Sequence, residues 1–210
     1  MTKGLIIFDM DGTLIDSSVD ITISVNYVRK HFGLPKLDIP TVVDIINGKR
    51  EELAYNLYQV REYTSTHRKL FEEHYIEQCT KNTYVYKGVE ELLKELKSLG
   101  YTLSVATNAY TKFAEKMLTH LNIDRYFDLI VGACKVEKPK PNPDMLFHIM
   151  GKFSNSSINI MVGDNHTDVY AAKNANIDMV FAGWGFGKIE NYADVTFVAK
   201  TPYDMLNYIV

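Results

Sequence analysis

Leu5-Ile6-Ile7-Phe8-Asp9-Met10-Asp11-Gly12-Thr13 is the stretch that decides the fold. Its four apolar residues form a run too short and too β-favouring for a helix, and read as a buried strand. Two aspartates, one residue apart, follow at once, and the chain turns at Gly12. In an open α/β sheet, ligands bind in the crevice beyond the carboxyl ends of the strands. Two carboxylates so close repel each other unless a cation or a proton separates them. A hard, oxygen-liganded cation such as Mg²⁺ suits the pair. One carboxylate can then be both ligand and nucleophile, because Asp can carry a phosphoryl group as an aspartyl-phosphate. A strand end followed by a polar turn uses the same residue types, so the choice rests on the rest of the chain.

From Gly88 onward helical and strand patterns alternate. Val89, Leu92, Leu93 and Leu96 have helical spacing that stops at Gly100. Tyr101–Ala106 is short and β-rich, and Lys112–Leu121 is helical with Phe113, Ala114, Met117, Leu118 and Leu121 on one face. Strands follow at Leu129–Val131, Ile158–Val162, Met179–Ala182 and Val195–Val198, and helices at Pro143–Met150 and Asp168–Asn176. Such alternation predicts a doubly wound, Rossmann-like parallel sheet with helices on both faces.

The segment after the first strand breaks the rhythm. Val19–Phe32, Thr41–Ile46, Arg50–Gln59 and Thr64–Cys79 have helical patterns, with no convincing buried strand among them. A small all-helical domain, 17–82, is expected to be inserted into an α/β core formed by 1–16 and 83–210. Its hinges are short, near Asp16–Ser18 and Thr83–Gly88, for want of a Gly/Ser-rich linker.

Composition bounds the rest. With 210 residues, 46% apolar and 23% charged, the chain is an ordinary globular one. A formal charge of −3 gives no basic footprint for nucleic acid. No apolar run approaches a membrane span, and Met1-Thr2-Lys3-Gly4 leads into a strand without a signal-peptide pattern. Cys79 and Cys134 match no metal spacing and are expected as reduced, partly buried thiols of a cytoplasmic protein. His31, His67, His74 and His120 read as ordinary surface or partly buried residues.

Three further signals fall at strand ends. Thr107-Asn108 offers a hydroxyl and an amide to phosphate oxygens, though both residues also cap helices. Lys138-Pro139-Lys140-Pro141-Asn142-Pro143 is an extended, stiff loop that can hold a lysine towards clustered carboxylates, or be a solvated basic loop. Gly163-Asp164-Asn165-His166-Thr167-Asp168 sets one Asp after a strand and another four residues on, where an anion also suits a helix start. One such motif arises easily by chance; four at the ends of one sheet's strands do not.

These motifs resemble those of the haloacid dehalogenase-like hydrolases. The likeness runs from Leu5 to the C-terminus, through Asp9-Met10-Asp11-Gly12-Thr13-Leu14, Thr107, Lys140 before Pro141-Asn142-Pro143, and Gly163-Asp164 to Asp168. The helical insertion and Trp184-Gly185-Phe186-Gly187 resemble the phosphoglycolate phosphatase and β-phosphoglucomutase branch. The resemblance implies Asp9 as nucleophile and Asp11 as general acid and base. It implies Mg²⁺ held by Asp9, the Asp11 backbone carbonyl and Asp164. Lys140, with Lys138 as the alternative, would neutralise phosphoryl charge, Thr107 and Asn108 would orient its oxygens, and Asp168 would support from behind. His166 falls inside the fourth motif and has no assigned chemistry.

Within the family, a halide leaving group needs no acid, so Asp11 implies phosphate esters. Asn47-Gly48-Lys49-Arg50 lies where the family often has a specificity loop in its cap. Lys49 and Arg50 there could meet a substrate carboxylate or second phosphate, or simply be a solvated helix start. The implied activity is a phosphatase on a small phosphate ester, phosphoglycolate or a sugar phosphate, with no nucleic-acid or membrane partner, as a monomer or homodimer. A phosphoglucomutase-type phosphotransferase shares the core motifs. A non-catalytic binding protein is the third alternative, against which every expected catalytic position is filled.

Overall fold

A computed structural model describes residues 3–154, 156, 158–189 and 191–209. Met1 and Thr2, read above as leading into the first strand, lie outside the described residues. The strands in chain order are β1 (Leu5–Phe8), β2 (Ile15–Asp16), β3 (Tyr84–Val85), β4 (Thr102–Thr107), β5 (Leu129–Gly132), β6 (Asn159–Gly163), β7 (Asp178–Ala182) and β8 (Phe197–Ala199). The helices are α1 (Ser18–His31), α2 (Ile39–Ile46), α3 (Leu53–Tyr58), α4 (Ser65–Gln78), α5 (Val89–Ser98), α6 (Thr111–His120), α7 (Asp144–Lys152), α8 (His166–Ala175) and α9 (Asp204–Ile209). Contacts divide the chain into two compact units. One holds the described residues up to Asp16 and from Tyr84 on, the other Ser17–Thr83.

The first unit is a six-stranded sheet in the order β5-β4-β1-β6-β7-β8, parallel throughout. Leu5, Ile6, Ile7 and Phe8 are all buried because β1 is central and covered on both faces. Burying each such side chain contributes about 1.5–3 kcal/mol. Packed against the sheet are Met145, Leu146 and Ile149 of α7 and Val169, Ala171 and Ala172 of α8. The order reverses at β1: β4 and β5 lie on one side, β6 to β8 on the other. Such a switch point opens a crevice at the strand carboxyl ends.

Three elements were not legible. β2 and β3 pair antiparallel, Ile15 with Val85 and Asp16 with Tyr84, and the Tyr84 hydroxyl donates to Asp16 Oδ2 at 2.9 Å. The points where the chain leaves and regains this unit are thus neighbours. Two-residue strands carry too little pattern to be seen in a sequence, and α9 is a six-residue helix of the same kind. The last strand falls at Phe197–Ala199, slightly later than its apolar run suggests. Cys134 is exposed, not partly buried, and Cys79 is buried.

Ser17–Thr83 has its own core of Val25, Val28, Val42, Leu57 and Tyr58. Arg29 is buried there because its guanidinium donates to the carbonyls of Pro35 and Leu57. His67, expected nearer the surface, is also buried. It stacks on Phe32 at 4.1 Å and bonds the Thr64 hydroxyl through Nδ1. Asp20, in the first turn of α1, is fully buried and accepts from Gln78 Nε2, both nitrogens of Asn82, and the Thr83 amide and hydroxyl, at 2.7–3.0 Å. The bonds to Thr83 explain why contacts keep that residue with the helices.

Burial pushes the Asp20 carboxyl up, but the donors of Asn82, Gln78 and Thr83 outweigh it and hold the group below its ordinary value. Asp20→Ala leaves these donors buried without an acceptor, and is expected to destabilise the protein by about 3 kcal/mol in chemical denaturation. Because the folded value is lowered, this contribution is present above the unfolded-state value of about 3.9 and is lost as pH falls through the folded one. The difference between wild type and variant should therefore narrow in acid.

Candidate active site

The carboxyl ends of β1, β4 and β6 meet at the switch point. Asp9 directly follows β1, and its amide donates to the Val162 carbonyl of β6 at 2.8 Å. Thr107 ends β4, and Asp164 directly follows β6. Asp168 enters from the first turn of α8. Lys140 comes from the loop between β5 and α7.

Lys140 Nζ lies 2.5 Å from Asp9 Oδ1 and 2.6 Å from Asp168 Oδ1. The lysine is only 2% exposed, Asp164 1% and Asp168 0%, so these charges are stripped of most of their water. Lys138 is exposed. Burial thus separates two lysines that spacing leaves equivalent.

Asp168 unites its two competing readings. Its Oδ2 accepts from the Asn165 amide at 3.1 Å, while Asn165 Oδ1 accepts from Thr167 N at 3.0 Å, forming a capping box. Its Oδ1 is thereby left for Lys140. One oxygen starts the helix and the other holds the lysine.

Asp164 is held at both oxygens, by the Thr13 hydroxyl at 3.2 Å and the Gly187 amide at 2.7 Å. Gly12, at φ +89, has no room for a side chain, which would strike the Asp164 carboxylate. Asp11 is half-buried in the tight turn closed by Gly12 N to the Ile15 carbonyl and Leu14 N to the Met10 carbonyl, both 2.9 Å. The buried carboxylate cluster itself consists of Asp9, Asp164 and Asp168, with oxygens within 4.8 Å of one another.

Thr107 is buried, and its hydroxyl oxygen accepts from Ala109 N at 3.1 Å, which leaves its hydrogen to give to an anion. Asn108 lies beside the lysine loop. It is exposed, and its amide nitrogen donates to the Lys140 carbonyl at 3.0 Å. One of that nitrogen's two hydrogens thus fixes the lysine loop. His166 opens α8 and meets Tyr170 edge-on at 6.2 Å, and burial lowers its pKa. Lys49 and Arg50 are exposed in the helical unit, with Lys49 Nζ 3.8 Å from Glu52.

Sequence reasoning gave no role to Thr13, Trp184, Gly187 or Tyr86. Trp184 Nε1 donates to the Thr13 carbonyl at 2.9 Å. Tyr86 is half-buried just after β3; burial, then Asp16, Asp164, Tyr84 and Asp11, keeps its phenol neutral and a donor. The glycines of Trp184-Gly185-Phe186-Gly187 were the one visible signal for this loop.

The electrostatics are unbalanced. Burial pushes the Asp9 carboxyl up to about 6, with Lys140 opposing and Asp168 adding to the rise. Asp164 is driven well up by burial and by Asp9 and Asp168, against the pull of Gly187 and Thr13. Burial alone would lower Lys140, but Asp168 and Asp9 keep its ammonium charged. Three carboxylates against one ammonium leave a formal deficit of two charges. Hard oxygen donors and that deficit fit a divalent cation such as Mg²⁺.

A family model of the haloacid dehalogenase-like hydrolases matches residues 6–182. The chain belongs to this family. Over 98% of both chains it is 31% identical to a phosphoglycolate phosphatase of Aquifex aeolicus. It is 32% identical to one of Vibrio vulnificus, over 98% of this chain and 96% of the relative. A solved structure described as a predicted phosphoglycolate phosphatase from Haemophilus somnus aligns with TM-score 0.86 at 28% identity, covering 100% of this chain and 98% of that one. A haloacid dehalogenase-like hydrolase of Streptococcus pneumoniae aligns with TM-score 0.84 at 26% identity, over 99% and 98%. The chain is a phosphatase-type hydrolase of this family. No described helix is long and apolar enough to cross a membrane.

With their pKa values raised, Asp9 and Asp164 add stability in acid that is lost as pH rises through the folded value, about 6 for Asp9. A cation must displace their protons and relieve their repulsion at higher pH. Mg²⁺ at a hundred times its Kd should stabilise the protein by about 2.7 kcal/mol. The thermal shift it produces is expected to be larger near pH 8 than near pH 5. A shift independent of pH would show that these carboxylates do not receive the ion.

Proposed function

We propose that the chain is a Mg²⁺-dependent phosphatase that hydrolyses small phosphorylated metabolites, of the phosphoglycolate or sugar phosphate type, through an aspartyl-phosphate. The observation that carries this reading is the Lys140 ammonium locked between Asp9 and Asp168, next to Asp164. It gives the carboxylate after β1 a fixed direction and a cationic neighbour, as attack on an anionic phosphoryl group requires.

In this reading Asp9 forms a bond to phosphorus as the ester oxygen leaves, and Asp11 gives that oxygen its proton. Asp11, now a base, takes a proton from water, whose oxygen displaces Asp9 and releases phosphate. Lys140, the Thr107 hydroxyl and the Asn108 amide hold the phosphoryl oxygens. Asp168 keeps Lys140 in place, and Asn108 fixes its backbone. Asp9, Asp164 and the Asp11 backbone carbonyl are the groups to hold the cation. When bound, Mg²⁺ supplies charge neutralisation for the transferring phosphoryl group.

The helical residues 17–82 act as a cap that chooses among esters, with Lys49 and Arg50 its candidate contacts to a second anionic group. The same reading has the protein work in the cytoplasm, as a monomer or homodimer, with neither membrane nor nucleic acid as partner. The named activity of the relatives supports a phosphoglycolate-like substrate.

Two measurements test these roles. Asp9→Asn should abolish phosphate release, and Asp11→Asn should lower it by about 10²–10⁴-fold, the usual worth of a general acid; turnover intact in Asp11→Asn removes its assignment. K49A and R50A, assayed across a panel of phosphate esters, should change the rank order of substrates. A small uniform effect would take specificity away from this pair.

A further inference from the structure

The loop after β7 makes contacts that the proposed reaction does not use. Trp184 Nε1 donates to the Thr13 carbonyl at 2.9 Å, and the Thr13 hydroxyl donates to Asp164 Oδ1 at 3.2 Å. The Gly187 amide donates to the other Asp164 oxygen at 2.7 Å. Trp184 and Gly187 are three residues apart on one loop. The bonds therefore close a ring: Trp184 to Thr13, Thr13 to Asp164, and Asp164 back through Gly187 to the same loop.

The approach is tight enough to dictate sequence. Gly185 lies where a side chain would strike the Gly12 carbonyl and the Asp164 side chain, and one on Gly187 would strike the Asp164 carbonyl. Two turns from different strands, after β1 and after β6, are thus pressed against one loop. From the loop's side of the ring, Trp184 reaches the turn after β1 through its side chain.

We propose that Trp184 is a positioning residue: its indole N–H fixes Thr13, which together with Gly187 sets the direction in which the Asp164 carboxylate faces a divalent cation. This rests on the proposed role of Asp164. A carboxylate with one donor on each oxygen has a fixed plane, and its remaining lone pairs are aimed. Groups that orient a metal ligand from behind are typically worth about 10–100-fold in metal affinity. Loss of the indole bond frees the Thr13 carbonyl and with it the hydroxyl that holds Oδ1.

The test is Mg²⁺ binding without substrate, by titration calorimetry, on wild type, Trp184→Phe, Thr13→Val and the double variant. Phenylalanine keeps an aromatic ring and removes the N–H. Trp184→Phe should bind Mg²⁺ about 10-fold more weakly, and the double variant no more weakly than Thr13→Val, because the two act in one chain. Unchanged Mg²⁺ affinity in Trp184→Phe, or additive losses, overturns the inference while leaving Mg²⁺ binding and the phosphatase reading intact. Absence of Mg²⁺ binding in wild type overturns both. If Trp184→Phe does not fold, the wild type decides. Its single tryptophan gives one indole N–H resonance, which should shift during Mg²⁺ titration and saturate with the calorimetric Kd. A resonance that does not move sinks the coupling.

Discussion

One ammonium group shared by two carboxylates governs this molecule. Lys140 is 2% exposed, and a lysine so far from water is stable only when paired and hydrogen-bonded. Its partners arrive from separate parts of the chain, Asp9 at 2.5 Å from the end of β1 and Asp168 at 2.6 Å from the start of α8. Removing either would leave buried charge uncompensated, an effect of about 3–5 kcal/mol. The groups that make the site are therefore also groups the folded state depends on. The pairing is incomplete: Asp164 adds a third carboxylate to the cluster, and among the described residues Lys140 is the cation paired with it.

The sheet makes that pairing possible. Asp9 and Lys140 are 131 residues apart in sequence. They meet because the strand order reverses at β1, so that the ends of β1, β4 and β6 form one floor. Full burial of Leu5, Ile6 and Ile7 fixes β1 at the centre. A central strand cannot slip in register without moving Asp9, since Phe8 is matched to Val105 on one side and Val162 on the other. Apolar packing thus sets the position of a charged atom.

The parts that could be read from sequence are those with a residue-type signature. Buried parallel strands appear as short apolar runs, and Asp9, Lys140, Asp164 and Asp168, each explicable singly as a turn, loop or helix-start residue, stand out because they fall together at strand ends. What could not be read is carried by backbone. Asp164 is held by the amide of Gly187, and Thr13 receives Trp184 through its carbonyl; any residue has those groups. Asn108 reads as an anion ligand because amides bind phosphate; that one of its two N–H donors goes to the Lys140 carbonyl is again a bond to backbone. Lys138 and Lys140 both precede a proline, and only packing distinguishes the exposed one from the buried one.

Two buried aspartates show why burial by itself does not mark a reactive carboxylate. Asp20 and Asp164 are both almost without exposed surface. Asp20 is surrounded by the neutral donors of Gln78, Asn82 and Thr83, which stabilise its charge, and its pKa falls. Asp164 has one donor on each oxygen, but burial and then the nearby Asp9 and Asp168 raise its pKa. Neutral donors satisfy a carboxylate locally and make it structural. Carboxylates crowded beyond what one lysine can balance remain unsatisfied until protons or a cation arrive. Burial pushes both carboxyls up; neutral donors reverse that push at Asp20, and the charges of Asp9 and Asp168 add to it at Asp164.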